Sequence, residues 1–210
     1  MSPDCVLGNP LQLAVLVSGG GTTLGNLVAR IRDGRLRGIE VRLVISSRSA
    51  VRGVDIARAA GLPLAIIRKQ DYPDDDAFSA TITAGLDRAQ VDLVVLAGFL
   101  CYWRLPPQYE GRVLNIHPAL LPRFGGQGFY GHRVHEAVLA AGVAESGCTV
   151  HLVDNQYDHG PIIAQSRVPV QANDTADSLA ERVGAAEREL YPRVIQQIAD
   201  QGLNWLRQFG

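Results

Sequence analysis

The run Leu11-Gln12-Leu13-Ala14-Val15-Leu16-Val17, followed at once by Ser18-Gly19-Gly20-Gly21-Thr22-Thr23, constrains the fold more than any other stretch. A nearly continuous apolar run has no polar face, as expected of a parallel strand covered on both sides. Parallel strands need crossover connections, and beyond the glycines Leu24, Leu27, Val28 and Ile31 recur at helical spacing. The unit is strand, glycine loop, helix, which places free N–H groups at the positive end of a helix dipole. Such a loop either holds an anion or is a tight strand-to-helix turn. Two sharper nucleotide motifs fail. Leu24 stands where a dinucleotide fingerprint needs its third glycine, and the second strand ends in Ser46-Ser47-Arg48 with no acid for a ribose, so NAD does not fit. Gly20 and Gly25 have P-loop spacing, but Asn26 occupies the place of the phosphate-binding lysine. A monophosphate on the loop is what remains of the anion reading.

The alternation then repeats. Ile39 to Ile45 reads as a strand, Val51 to Ala60 as a helix closed by Gly61, and Leu62 to Ile67 as a strand with Pro63 at its start. The acids from Asp71 to Asp76 suit the first turn of a helix running to about Ala89, as caps rather than metal ligands. Val91 to Gly98 is a further buried strand, and Phe99, Leu100, Cys101, Tyr102 and Trp103 continue it into a loop, either as walls of a flat-ring pocket or as core. Gly131 to Ala141 reads as a helix carrying His132 and His135; His-Glu-x-x-His is absent, so surface or capping histidines are expected, not zinc ligands. Gly147 to Val153 and Ile162 to Ser166 read as strands joined by a hairpin-like loop, Asp154 to Pro161. A last helix starts at Thr175 or Ser178, with Ser178 and Glu181 at capping-box spacing, and runs to about Ala199; Pro192 should kink it or divide it near Tyr191. The fold expected is α/β: a single domain over 11–200, with terminal extensions 1–10 and 201–210. Its sheet is Rossmann-like and mostly parallel, with helices on both faces and a C-terminal antiparallel hairpin.

Chemistry concentrates in Arg112-Val113-Leu114-Asn115-Ile116-His117-Pro118. Alternate residues of a strand face the same way, so Asn115 and His117 leave its end side by side while Ile116 turns to the core. Pro118 stops the strand at His117 and opens a turn rich in Pro and Gly. An amide N–H and an imidazolium so placed could stabilise an oxyanion in acyl transfer; the same pair could equally close a strand as satisfied polar groups.

Composition limits the choices. A chain of 210 residues with 47% hydrophobic and 20% charged residues is ordinary globular material. A formal charge of −1 without a dense Lys/Arg run argues against a nucleic-acid surface, though small anionic substrates remain open to it. Cys5, Cys101 and Cys148 form neither a disulfide framework nor a zinc pattern, which points to a reducing cytoplasm. No basic N-terminal region or membrane-length apolar segment stands out.

The spelling of three segments goes further. Leu-Asn-Ile-His-Pro-Ala-Leu-Leu-Pro at 114–122, Leu-Val-Ser-Gly-Gly-Gly-Thr-Thr-Leu at 16–24, and Asp158-x-Gly160 resemble the folate-dependent formyltransferases, in particular the glycinamide ribonucleotide branch of purine biosynthesis. The resemblance implies Asn115, His117 and Asp158 as the catalytic three, and a substrate phosphate on Gly20, Gly21, Thr22 and Thr23. It places Glu187 near the glycyl amine of the substrate. It implies 10-formyltetrahydrofolate as co-substrate, no metal, small-molecule partners only, and a monomer or homodimer. A pterin would lie against Phe99, Leu100, Cys101, Tyr102 and Trp103 with Val153 and Asp154. The Leu121-Pro122 bond is expected cis, and the loop from Phe124 to Gly131 is glycine-rich enough to move over substrate. Where relatives carry Gly-x-Gly-Ser-Asn, this chain has Gly19-Gly20-Gly21-Thr22-Thr23. A nucleotide-sugar formyltransferase is the nearest alternative, because it joins an amine to the same donor. A non-catalytic phosphoribosyl-binding protein is the alternative of another class.

Overall fold

In the computed structural model, which describes residues 9–209, the alternation becomes β1 (Leu11–Val17), α1 (Thr22–Arg32), β2 (Ile39–Ser46), α2 (Arg52–Ala59), β3 (Leu64–Ile66), α3 (Asp75–Ala89), β4 (Leu93–Leu96), β5 (Val113–His117), α4 (His132–Ala140), β6 (Glu145–Leu152), β7 (Ile162–Pro169) and α5 (Ala176–Gln201). The strands form one sheet in the order β3-β2-β1-β4-β5-β6-β7. β1 to β5 pair in parallel; β6 runs antiparallel to β5, and β7 to β6. Chain order reverses between β1 and β4, and in open α/β sheets ligands collect outside the carboxyl ends of strands at such a point. No helix among the described residues is long and apolar enough to cross a membrane. Most of the expected extension 1–10, and Cys5 with it, lies outside the described residues; Cys101 and Cys148 are free thiols.

Strand alternation explains how one apolar run serves two cores. Leu13, Val15 and Val17 pack with Leu24 and Leu27 of α1, Ala57 of α2, Val138 of α4 and Ile195 of α5 on one face. Ala14 and Leu16 pack with Phe78, Ile82 and Leu86 of α3, and with Trp103 and Tyr109, on the other. At the C-terminus a 3-10 turn, Leu203–Gln208, returns Leu206 to the first of these cores.

Several local expectations are refined. β3 is shorter than the expected 62–67, because it is an edge strand paired only with β2 and Pro63 has no N–H to offer a ladder. β4 stops before Gly98, whose φ of +72° turns the chain out of the sheet. Asp74 caps α3 by accepting from Ala77 N at 2.8 Å, while Asp75 and Asp76 pair with Lys69 and Arg104. The capping box of α5 is Thr175 with Ser178, through reciprocal bonds of 3.0 and 3.2 Å, so Glu181 takes no part in it. α5 also runs unbroken through Pro192. Proline deprives the carbonyl four residues earlier of its donor. That carbonyl, Arg188 O, accepts instead from Asn26 Nδ2 of α1 at 2.8 Å. The Leu121-Pro122 bond is cis, as expected.

Candidate active site

The carboxyl ends of β1, β4 and β5 open into one cleft of about 480 Å³. At the β1 end Gly21 adopts φ +64° as the N-cap of α1, and no side chain caps the helix. The first N–H groups of α1 are therefore left for a ligand. Only glycine fits at 21: a Cβ there would meet Gly53 Cα at 2.5 Å. Ser18 ties this loop to its neighbours. Its Oγ lies 2.6 Å from Ser47 Oγ and accepts from Leu100 N at 2.8 Å, which fixes the β1 end against the β4 end.

Asn115 and His117 do leave β5 together. His117 Nδ1 lies 3.3 Å from Asp158 Oδ2, and Asn115 Nδ2 lies 3.4 Å from Asp158 Oδ1. Asp158 reaches them from the loop after β6, with φ +53°, a conformation that Asp tolerates better than most residues. The loop returns so tightly that a Cβ on Gly160 would come within 2.0 Å of Leu152 O, which explains the glycine of Asp-x-Gly. Gly126 N donates to Asp158 Oδ2 at 3.0 Å. His117 Nε2 donates to the carbonyl of Phe124 at 2.7 Å, so the start of the glycine-rich loop is bound to two of these side chains.

His151 completes the cluster and was not anticipated. It stands opposite Asn115 in the β5–β6 register. Its Nδ1 donates to Leu152 O at 2.7 Å, which leaves Nε2 to accept from Asn115 Nδ2 at 3.1 Å; Asp158 Oδ1 is 3.6 Å from the same nitrogen. The signal was available only by pairing β6 against β5 residue by residue.

Electrostatics divide these groups. Burial tends to raise the Asp158 carboxyl, but the neighbouring His151 and His117 rings and the Gly126 N–H together hold it below the ordinary carboxylate value. For His117 burial wins: it lowers the imidazole pKa, against the upward pull of Asp158 and the Phe124 carbonyl. The support from Asp158 is thus real but smaller than the cost of burying a charged ring. Glu187, on α5 at the cleft wall, is pushed up to about 7 by burial, with Arg188 opposing. Burial likewise pushes the Cys148 thiol to about 12, so it is inert.

The aromatic run divides its tasks. Trp103 is core, donating to Thr83 Oγ1 at 3.3 Å, and Phe99 stacks on Phe78 at 6.5 Å. Leu100 is half exposed at the rim, and Tyr102 packs on Tyr157 at 5.7 Å. Val153 and Asp154 line the same side; Asp154 accepts from His159 Nδ1 at 2.7 Å. The expectation for the α4 histidines holds for one of the pair. His132 is exposed beside Asp177 at 3.1 Å, whereas His135 is buried and lines the cleft, because α4 turns that side to the sheet with Val134 and Val138. Among the described residues no Lys or Arg lines the cleft, and no group of three or more His, Cys, Asp or Glu is placed to hold a metal ion.

The formyl transferase family profile matches residues 11–195. The chain is 39% identical over 199 residues to the chloroplastic phosphoribosylglycinamide formyltransferase of Vigna unguiculata, covering 92% of this chain and 62% of that protein. It is 40% identical over 190 residues to the trifunctional purine biosynthetic protein adenosine-3 of Bos taurus, covering 90% of this chain and 18% of that one. It thus spans less than two thirds of either curated relative. Among solved structures, glycinamide ribonucleotide transformylase 1 from Symbiobacterium toebii matches with a TM-score of 0.85 at 38% identity, over 92% of this chain and 90% of that one.

Proposed function

Because the chain belongs to the formyl transferase family, we propose that it transfers the formyl group of 10-formyltetrahydrofolate to the amine of glycinamide ribonucleotide, a step of de novo purine biosynthesis. One observation carries the reading: Asn115 and His117 converge on Asp158 between a loop of free N–H groups and an apolar wall. The phosphate is assigned to Gly20–Thr23, where backbone N–H groups and the α1 dipole do the work that cations do elsewhere. The pterin is assigned to the wall from Phe99 to Trp103 with Val153 and Asp154, and the reacting end of the acceptor to the space near Glu187. We place the protein in the cytoplasm, in keeping with the free thiols of Cys101 and Cys148.

In the mechanism proposed, the amine attacks the formyl carbon, a C–N bond forms, and the carbonyl oxygen takes the negative charge. Asn115 and a protonated His117 donate to it; donors fixed beforehand need no reorganisation as the charge develops. Asp158 accepts the proton lost by the amine, directly or through one water. Collapse breaks the bond from carbon to N10 of the folate, which takes up a proton. Since Phe124 O occupies His117 Nε2, the ring can serve the formyl oxygen only after the loop withdraws. Gly126 and Gly128, both at φ above +90°, give that loop the freedom to do so.

The test is turnover of a 10-formyl folate with glycinamide ribonucleotide and, separately, with an amino-sugar nucleotide. Formylation of the ribonucleotide alone is expected. Preference for the amino sugar would make the protein a nucleotide-sugar formyltransferase, and binding without turnover would leave a phosphoribosyl-binding protein.

A further inference from the structure

Beyond β4 the chain leaves the sheet, so the N–H groups of the wall from Phe99 onward have no ladder to join. Three of them are met by side chains from three different places. Leu100 N donates to Ser18 Oγ at the end of β1, Arg104 N to Ser79 Oγ of α3, and Leu105 N to Asn155 Oδ1, each at 2.8 Å. Of the three acceptors, Asn155 alone belongs to the loop that carries Asp158. Its amide also returns a bond, from Nδ2 to Leu105 O at 3.2 Å, so it pairs with Leu105 as a neighbouring strand would. Tyr102 Oη adds a third link, donating to Asn155 O at 3.3 Å beside the packing of its ring on Tyr157.

The base of the Asp158 loop is clamped to the sheet by Leu152 N to Pro161 O and Val153 N to Val113 O, both at 2.9 Å. Among the described residues, the hydrogen bonds that tie 154–157 to other parts of the chain all run through Asn155. Its anchor is firm, because Leu105 is 3% exposed and packs with Phe78 and Trp103 in the core beneath α3. Asn155 itself does not line the cleft. We propose that Asn155 is a positioning residue: its amide staples the Asp158 loop to the folate wall, and so sets both the width of the pterin pocket and the place of the catalytic carboxylate. The assignment rests on the functional reading above.

The geometry gives the staple this reach. The pterin wall has two sides, Phe99 to Trp103 and Val153 with Asp154, and the Asn155–Leu105 pair joins them behind the cleft. Asp158 follows three residues later, at φ +53°. Its own contacts are 3.0 Å to Gly126 N, 3.3 Å to His117 Nδ1 and 3.4 Å to Asn115 Nδ2, and the first of these is lost when the glycine-rich loop withdraws. With that loop open and the staple cut, the carboxylate keeps only its two longer contacts. A displacement of about 1 Å in a reacting group can cost about 10²-fold in rate, so the staple bears on chemistry as well as on binding.

The test measures kcat and both KM values for the wild-type protein, Asn155→Ala, Asp158→Asn and the double variant, with 10-formyltetrahydrofolate and glycinamide ribonucleotide as substrates. Asn155→Ala is expected to raise KM for the folate and to lower kcat, each about tenfold, with KM for the ribonucleotide unchanged. In the Asp158→Asn background the same substitution should still raise KM for the folate but leave kcat nearly unaltered, because no carboxylate remains to be placed. An asparagine that merely stabilises its loop would lower the thermal midpoint and leave the kinetics as they were. Unchanged kinetics in Asn155→Ala, an equal rise in both KM values, or the same fall in kcat in both backgrounds would each overturn the proposal. Failure of the wild-type protein to formylate the ribonucleotide would overturn the functional reading itself, and this assignment with it.

Discussion

His117 Nδ1 faces Asp158 Oδ2 at 3.3 Å, across the join between β5 and the loop that follows β6. The carboxylate pulls the imidazole towards its charged form while burial pulls harder the other way. His117 should therefore titrate, by NMR of its ring protons, below the 6.5 of a free histidine, and Asp158→Asn should move it lower still. An upward shift in that variant would show that the carboxylate is not what supports the charge. Stability follows with a definite sign. Between the depressed folded pKa and 6.5 the unfolded chain binds more protons, so His117 contributes stability that is full above 6.5 and is lost as pH falls through this window.

Glu187 has the opposite sign. Its folded pKa of about 7 lies above the ordinary 4.5, so in between the folded chain holds more protons and stability falls as pH rises. Glu187→Gln copies the protonated form. Its thermal midpoint should exceed that of the wild-type protein at pH 8, and the gap should narrow towards pH 5. A gap that persists unchanged at pH 5 would remove burial of the charge as its cause.

Asn26 and Pro192 should be energetically coupled, because Asn26 replaces the donor that Pro192 denies to Arg188 O. Asn26→Ala should cost about 0.5–1.5 kcal/mol in denaturant unfolding, and markedly less in a Pro192→Ala background, where the helix can supply its own bond. Additive effects would break the link.

How much of this was legible in the sequence depended on how local the signal was. Leu11–Val17 read as a doubly buried strand because apolar runs and glycine punctuation need no partner to be recognised, and Asn115 with His117 followed from the two-residue period of a strand. Asp158 entered only through family likeness, since its meeting with β5 depends on an antiparallel pairing that no local pattern reveals. His151 was missed for the same reason: opposite Asn115 it is a site residue, but in its own segment it is one polar position in a strand. His132 and His135 were read as a pair, whereas the orientation of α4 sends one to Asp177 and the other into the cleft. Pro192 does not divide the helix, and what offsets its missing donor comes from α1, far away in the chain.

The most direct measurement of the proposed chemistry is kcat at saturating concentrations of both substrates for Asn115→Ala, His117→Ala and Asp158→Asn, with binding of each substrate followed separately by calorimetry. Direct transfer with a preorganised oxyanion site predicts that each variant still folds and binds both substrates near normally, while kcat falls by about 10²–10³-fold. Near-normal kcat in Asn115→Ala or His117→Ala would contradict it.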